Sequence, residues 1–176
     1  MTNEINIKQI NLQHCKAATS LISRHMQLAH TKKQTLVVLI QEPWINTNKI
    51  HGFNEHNMDL FYRRDSNAKP RTCIVTTKDL KATFMPQFSS RDVTTVLINI
   101  TNGNTNEELI LCSVYMPGEV MNNIPDEITR SAINHSSISG VPIIIGTDCN
   151  AHHDIWGSSN INRRGELLLE YVSSTD

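Results

Sequence analysis

The sequence has no long apolar run, no closely spaced cysteine pair and almost no net charge. Its longest apolar stretch, LVVLI, is far shorter than the roughly 20 residues that cross a bilayer, so we expect no membrane partner. The chain opens without the basic, apolar and small-residue pattern of a secretory signal, which predicts an intracellular location. The formal net charge of −1 gives no evidence for a nucleic-acid partner, so any such assignment must rest on local residues.

The four cysteines lie far apart in the sequence, mostly beside or within apolar segments. Zinc sites usually pair their ligands at short spacing, and disulfides belong to oxidising compartments. We therefore interpret these cysteines as reduced, intracellular thiols. They are Cys15, Cys73, Cys112 and Cys149.

The order of local patterns predicts one α/β (α+β) domain. The chain has 176 residues, 39% hydrophobic and 19% charged, without repeats or low-complexity tracts, which predicts a single globular domain over residues 1–176. The predicted strands cover residues 5–13, 35–43, 58–63, 71–77, 81–88, 93–101, 108–118 and 141–146, and the predicted helices 15–30, 122–136 and 162–172. This order is typical of a mixed α/β or α+β sandwich.

Several local features make the prediction more specific. The run VPIIIG, residues 141–146, has the composition of a strand covered on both faces. Asn102-Gly103 predicts a tight turn between two hairpin strands. An asparagine cap, Pro125 and the acids after it predict the start of the middle helix. The first helix is predicted to face the core with Ala18, Leu21, Ile22, His25 and Ala29.

Polar side chains follow several of the predicted strands. Asn11 follows the first strand, Glu42 the second, and Asp148 with Asn150 the run VPIIIG, while Tyr115 lies near the end of another strand. If these ends share one edge, two carboxylates, two amides and a phenol come together. Hard cations such as Mg²⁺ prefer oxygen ligands and are commonly held by one or two carboxylates beside substrate phosphate. The pattern therefore favours magnesium and phosphoryl chemistry.

The spacing of Asp148 and Asn150 permits two interpretations. In an extended segment both side chains point to one side, so an aspartate that orients water and an amide that donates to phosphate reach the same substrate. The alternative is an Asx turn that leaves the strand, which these residue types favour. The adjacent His152 and His153 also suggest zinc, but neighbouring side chains diverge in a strand and no third ligand lies at short spacing.

The motifs resemble a known family. INLQHCKAA, LIQEPW, SVYMPG and GTDCNAHHDIWGSSNINRRGELLLEYV look like the endonuclease domain of non-LTR retrotransposons, which is apurinic/apyrimidinic-endonuclease-like and part of the endonuclease/exonuclease/phosphatase superfamily. The resemblance covers essentially the whole chain in the right order. It implies two mixed β-sheets packed as a sandwich and flanked by helices. It also implies Mg²⁺-dependent nicking of DNA, with Mn²⁺ as an alternative ion, that leaves a 3′-hydroxyl to prime reverse transcription.

The resemblance also implies roles for individual residues. Glu42 is the expected main metal ligand, with Asn11 as its neighbour. Tyr115 is expected to contact the scissile phosphate, Asp148 to position the attacking water and Asn150 to help hold the phosphate. The candidates for DNA contact are His152, which is expected to line the groove, and two basic groups that the charge pattern identifies. One group is Arg163 and Arg164 at the start of the last helix, and the other, around a predicted hairpin, is Arg63, Arg64, Lys69 and Arg71. For both groups the alternative is an ordinary solvated surface.

One departure from the family pattern changes the expectation for activity. Family members close with a Ser-Asp-His-like segment whose histidine faces the phosphate, and this sequence ends before such a segment. We therefore expect a domain that is incomplete at its C-terminus, lacks its last strands and nicks DNA weakly or not at all. The alternatives are an inactive DNA-binding relic and a phosphodiesterase of the same superfamily with a non-DNA substrate. A functional protein is expected in the nucleus, with a reverse transcriptase domain on the same polyprotein.

Overall fold

The computed structural model describes residues 4–53, 56–64, 68–102, 105–118 and 124–175. The helices are α1 (Lys16–Thr31), α2 (Glu127–Ser139) and α3 (Arg163–Ser173). The strands are β1 (Ile5–Asn11), β2 (Thr35–Gln41), β3 (Ile45–Asn46), β4 (Lys49–Ile50), β5 (Met58–Phe61), β6 (Thr72–Thr77), β7 (Ala82–Phe84), β8 (Val93–Asn102), β9 (Thr105–Tyr115) and β10 (Ile143–Asp148). Among the described residues, no helix is long and apolar enough to cross a membrane.

Two four-stranded sheets form the centre of the molecule. The first has the strand order β1-β2-β6-β5 and the second the order β10-β9-β8-β7, while β3 and β4 form a small separate ribbon. Both sheets are mixed, because β1 pairs with β2 and β10 with β9 in parallel, whereas the other neighbours are antiparallel. A parallel pair places the carboxyl ends of its two strands at the same edge of the sheet.

Three apolar clusters hold the layers together. One lies between the first sheet and α1 and includes Met26, Val38 and Ile40. The second lies between the two sheets and includes Val37 and Leu39. The third packs the outer face of the second sheet against residues of α2 and α3. Alternation along β2 thus sends successive side chains into different layers, and the predicted sandwich of two mixed sheets flanked by helices is confirmed.

The structure corrects two predictions about buried faces. β10 lies at the edge of its sheet, and Ile144 is 42% exposed, so this strand is not covered on both faces. In α1 the prediction holds for Ala29, which is buried, and for Ala18 and Ile22, which pack against the core, but Leu21 is 68% exposed and His25 is exposed. The other buried side chains of this helix are Thr19, Ser23 and Met26. Thr19 and Ser23 are small enough for the helix to approach its neighbours closely, so the buried face includes polar positions as well as apolar ones.

Two predicted local features, the cap of α2 and the hairpin of β8 and β9, have different outcomes. The cap of α2 is Asp126, whose carboxylate accepts hydrogen bonds from the backbone N–H groups of Ile128 and Thr129, so the predicted asparagine cap is wrong. Asp126 is the cap because its carboxylate reaches two unpaired N–H groups of the first helical turn. Strands β8 and β9 pair as the predicted hairpin, in register up to Asn102 opposite Thr105. Gly103 of the predicted turn lies outside the described residues.

Candidate active site

The ends of β1 and β10 meet where the two sheets face each other. Parallel pairing places Asn11 beside Gln41 in the first sheet and Asp148 beside Tyr115 in the second. The Asn11 amide nitrogen donates a hydrogen bond of 2.5 Å to Oδ2 of Asp148 across the sheets. Residues separated by 137 positions in sequence therefore touch at one edge of the sandwich.

Glu42 lies at the same edge, immediately after β2. Its side chain is 21% exposed, and its Oε1 atom is 3.7 Å from Nε2 of His14. The pKa of the Tyr115 phenol is raised by burial, then by the charge of Glu42 and a hydrogen bond with it, and further by Asp148, while Arg71 lowers this pKa. Tyr115 lies beside Asp148 in the strand register, Asp148 accepts from Asn11, and Glu42 hydrogen-bonds with Tyr115, so the structure brings these four residues together at one edge.

The backbone at this edge adopts a conformation that non-glycine residues rarely use. Glu42 has a φ of 48°, although Pro43 predicts extended geometry at this position. Its N–H group donates to the carbonyl of Arg71 at 2.7 Å, which holds the chain in this left-handed turn. Gln13, His14 and Asn150 at the same edge also have positive φ angles. Such residues concentrate at functional sites, where the surrounding structure must hold them.

Asn150 follows the turn interpretation rather than the extended one. Its backbone N–H group donates to Oδ1 of Asp148 at 3.3 Å, and its φ of 49° lies outside the extended region. Its side-chain nitrogen donates to the carbonyl of Met116 at 3.0 Å. An amide nitrogen carries two hydrogens, so one donor hydrogen is left for a further partner. Asn150 is thus at the predicted place, but an Asx turn rather than strand alternation brings it there.

The segment that begins α3 holds the loop after β10. Asn162 caps α3 by accepting from Gly165 N–H at 2.8 Å, and the same oxygen accepts from His152 N–H at 3.0 Å. Arg164 is 3% exposed and donates to the carbonyls of Cys149 and Met116. Arg164 therefore holds the loop after β10 in place and does not lie on an exposed surface. Its contact with DNA phosphate stays a prediction.

The other two DNA-contact candidates are at the surface. The Arg163 side chain is 62% exposed and pairs with Glu166 at 3.1 Å. His152 is exposed, and its Nδ1 atom lies 2.8 Å from Oδ1 of Asn160. Their contact with DNA also stays a prediction.

Gln41 is a site residue that the sequence reasoning missed. It is fully buried between the sheets, where its amide nitrogen donates at 3.0 Å to both the Ser113 hydroxyl and the Gly146 carbonyl. Its amide oxygen accepts from Gln9 at 2.6 Å. The sequence pattern could have identified Gln41 as buried, because strand alternation places it on the same face as the inter-sheet residues Val37 and Leu39. Gln41 therefore ties the strand before Glu42 to the strand that ends at Asp148.

The surface at this edge has room for a ligand. An open groove of about 330 Å³ is lined by Asn11, Asp148, Asn150 and His152 among others. Tyr115 does not line this groove but a second cavity of about 360 Å³, which is also lined by Asp126 and Arg164. Among the residues that the structure describes, no three histidine, cysteine, aspartate or glutamate side chains come together as a metal-binding group. The carboxylate of Glu42 and the side-chain oxygen of Asn11, which accepts from Gln13 N–H at 2.8 Å, are the kinds of oxygen ligand that a hard cation prefers.

Comparison with known proteins identifies the fold. Residues 109–176 match the family model described as Endonuclease-reverse transcriptase. The endonuclease domain of TRAS1, a telomere-specific non-LTR retrotransposon, is 22% identical with a TM-score of 0.70, over 95% of this chain and 68% of that chain. No curated protein matches the sequence significantly.

Two other solved structures are more distant. TDP2 of D. rerio, complexed with single strand DNA product, is 12% identical with a TM-score of 0.51, over 85% of this chain and 61% of that chain. A functionally unknown conserved protein of Enterococcus faecalis V583 is 11% identical with a TM-score of 0.50, over 94% of this chain and 71% of that chain. The resemblance predicted from the motifs is therefore confirmed at the level of the fold: this chain folds like the endonuclease domain of the TRAS1 retrotransposon, and its residues 109–176 match the family model described as Endonuclease-reverse transcriptase.

Proposed function

We propose that this chain is the DNA endonuclease domain of a non-LTR retrotransposon polyprotein. In this proposal it hydrolyses one phosphodiester bond of target DNA, with Mg²⁺ or Mn²⁺ as cofactor, and leaves a 3′-hydroxyl that primes reverse transcription. The family match over residues 109–176 supports a link to reverse transcriptase on one polyprotein, which would act in the nucleus. The relatives with this fold include a protein solved with a single strand DNA product.

The observation that carries the proposal is the meeting of four predicted residues at one edge of the sandwich. Glu42 follows a strand of the first sheet and hydrogen-bonds with Tyr115 of the second, where Asp148 is the register neighbour of Tyr115 and accepts a hydrogen bond from Asn11 of the first sheet. Such an oxygen-rich edge is suited to phosphoryl transfer, in which positioning and electrostatic stabilisation do most of the catalytic work.

Each residue has a defined task in the proposed reaction. Glu42 and the side-chain oxygen of Asn11 would hold the metal ion, which when bound neutralises phosphate charge. Asp148 would orient the attacking water, because Asn11 and the N–H group of Asn150 fix its two oxygens. The second side-chain N–H of Asn150 would donate to one phosphate oxygen. The single O–H of Tyr115, which hydrogen-bonds with Glu42 in the free protein, would turn to another phosphate oxygen when DNA is bound.

A plasmid assay tests this function. We expect the wild type with Mg²⁺ to convert supercoiled plasmid to the nicked circle at a low rate, in keeping with the weak activity expected from the sequence, and this rate to fall about 10²-fold or more in Glu42→Ala and Asp148→Ala. Glu108→Ala is the matched control, because Glu108 is an exposed acid near the opposite end of the strand that ends at Tyr115. Chelation of the metal should stop the reaction.

Two results would count against the proposal. If the wild type binds DNA in a salt-sensitive manner but never nicks it, the chain is a DNA-binding relic. If both alanine variants nick at the wild-type rate, the edge around Glu42 and Asp148 is not the active site. Hydrolysis of a small phosphodiester without action on DNA would instead identify the alternative substrate class.

A further inference from the structure

Arg71 and Asp92 form an ion pair beside the candidate site. Two nitrogens of the Arg71 guanidinium donate to the two carboxylate oxygens of Asp92, one from Nε to Oδ1 and the other from Nη2 to Oδ2 at 2.6 Å. Both side chains are mostly sheltered, with exposed fractions of 22% and 24%. A sheltered two-point pair between planar groups has one favoured geometry, unlike a single contact at the surface.

The backbone carbonyls of Arg71 and Asp92 also accept hydrogen bonds from two residues of the candidate site. The carbonyl of Arg71 accepts from Glu42 N–H at 2.7 Å, and the carbonyl of Asp92 accepts from Tyr115 N–H at 2.8 Å. Arg71 directly precedes β6 of the first sheet and Asp92 directly precedes β8 of the second. The ion pair therefore joins the two sheets at the edge where Glu42 and Tyr115 must keep a fixed separation.

The guanidinium also contacts the Tyr115 ring. Its central carbon lies 4.9 Å from the ring centroid, within the range of a cation–π interaction. Arg71 is thus placed against the aromatic face, while the edge of its guanidinium is occupied by Asp92. This arrangement differs from the predicted role of Arg71 as one of several surface contacts to DNA.

We propose that Arg71 is a positioning residue for the proposed nicking reaction, which fixes the Tyr115 ring at the site and is itself held in place by Asp92. The proposal rests on the proposed function for its kinetic consequence, but its structural part concerns only Arg71, Asp92 and Tyr115. Positioning matters because displacement of a reacting or binding group by about 1 Å can lower the rate about 10²-fold.

The chain offers two matched controls. Arg91 lies 3.5 Å from the same Asp92 carboxylate but is 46% exposed, so Arg91→Gln removes a neighbouring charge without removing the sheltered pair. Arg130 stacks on Tyr171 at 4.8 Å, so Arg130→Gln reports what loss of a stacked arginine does to a tyrosine signal elsewhere. The sequence contains three tyrosines, which makes ring resonances of ¹³C-tyrosine-labelled protein simple to assign with Tyr115→Phe.

The first experiment is independent of nicking. In spectra of the labelled protein we expect Arg71→Gln to shift the Tyr115 ring resonance, Arg91→Gln to leave it in place and Arg130→Gln to shift Tyr171 instead. Arg71→Lys, which keeps the charge but not the two-point pair, should give a smaller shift. If the Tyr115 resonance does not respond to Arg71→Gln in folded protein, the positioning role is overturned, whether or not the wild type nicks DNA.

The second experiment separates positioning from DNA binding. We expect Arg71→Gln to lower kcat for plasmid nicking about 10- to 100-fold while KM changes little, with partial recovery in Arg71→Lys. A raised KM with unchanged kcat would mean that Arg71 binds DNA directly, which overturns the proposal. An equal loss in Arg91→Gln would overturn it as well, because that variant retains the sheltered pair. If the wild type does not nick, the proposed function fails and the tyrosine spectra alone decide the structural part.

Discussion

Replacement of Gln41 tests whether one buried amide holds the two sheets in register beneath the site. Gln41→Leu keeps a side chain of similar size but removes the hydrogen bonds of the side-chain amide. These are the hydrogen bonds to Gln9, Ser113 and the Gly146 carbonyl. Because Gln41 is fully buried, leucine itself fits an environment that already contains Leu39 and other apolar inter-sheet residues.

The size of the effect follows from these contacts. Each hydrogen bond contributes about 1 kcal/mol net to the free energy of unfolding, and a buried polar group left without its partner adds a penalty of about 1–3 kcal/mol. The Ser113 hydroxyl still donates to the Ile40 carbonyl at 2.9 Å, so the largest penalty falls on the Gly146 carbonyl. These losses amount to about 4–6 kcal/mol, of which burial of the apolar leucine side chain offsets about 1.5–3 kcal/mol, so we expect Gln41→Leu to lower the free energy of unfolding by about 3 kcal/mol. For a domain of this size that corresponds to a decrease in Tm of roughly 6–12 °C.

Urea unfolding of the variants measures this loss. Gln34→Leu is the control, because Gln34 is exposed just before the other end of β2, and its replacement should change the stability by less than about 0.5 kcal/mol. The double variant Gln41→Leu/Ser113→Ala should lose less than the sum of the single losses, since the two side chains share a hydrogen bond. If Gln41→Leu is no more destabilising than Gln34→Leu, the buried amide does not hold the sheets together.

Three further variants probe other parts of the molecule. A Cβ on Gly165 would lie 2.0 Å from the His152 carbonyl oxygen. Gly165→Ala should therefore push α3 away from the loop after β10 and lower the free energy of unfolding by about 1–3 kcal/mol, measured by thermal unfolding. An unchanged Tm would contradict this contact. Asp126→Ala removes the cap of α2 and should lower the free energy of unfolding in urea by about 1 kcal/mol, whereas Asp126→Asn should retain most of it. Burial raises the pKa of Cys112 to about 12 and raises the pKa of Cys73 as well. In the unfolded chain a cysteine thiol has a pKa near 8.5, so both thiols ionise more easily when the protein is unfolded. The stability that this difference provides is fully present below about pH 8.5. Above that pH, the free energy of unfolding should fall by about 1.4 kcal/mol per pH unit for each thiol. Cys112→Ala should make this alkaline decline shallower, and an identical slope would refute the assignment.

The sequence alone predicted the three helices and the strands of both four-stranded sheets in their order, but not the short ribbon of β3 and β4, where it predicts a polar loop. Runs such as TLVVLIQ predict a buried strand wherever they are placed, because β-branched and apolar side chains favour a pleated, covered backbone. The start of α3 at Arg163 and the pairing of β8 with β9 also follow from caps and turn residues that act over a few positions. Polar residues after these runs were identified for the same reason, since a local pattern shows where a strand stops.

Only the tertiary structure decided which of these residues meet, and in which conformation. Asn11 and Asp148 touch because β1 and β10 belong to facing sheets, and no local pattern specifies the packing of two sheets. Likewise, Glu42 adopts a left-handed backbone because the carbonyl of Arg71 holds its N–H group, and Arg164 is buried because it binds carbonyls of the loop. Local free energies of a few tenths of a kcal/mol select helices and strands, but burial and hydrogen bonds between distant segments decide how they are assembled.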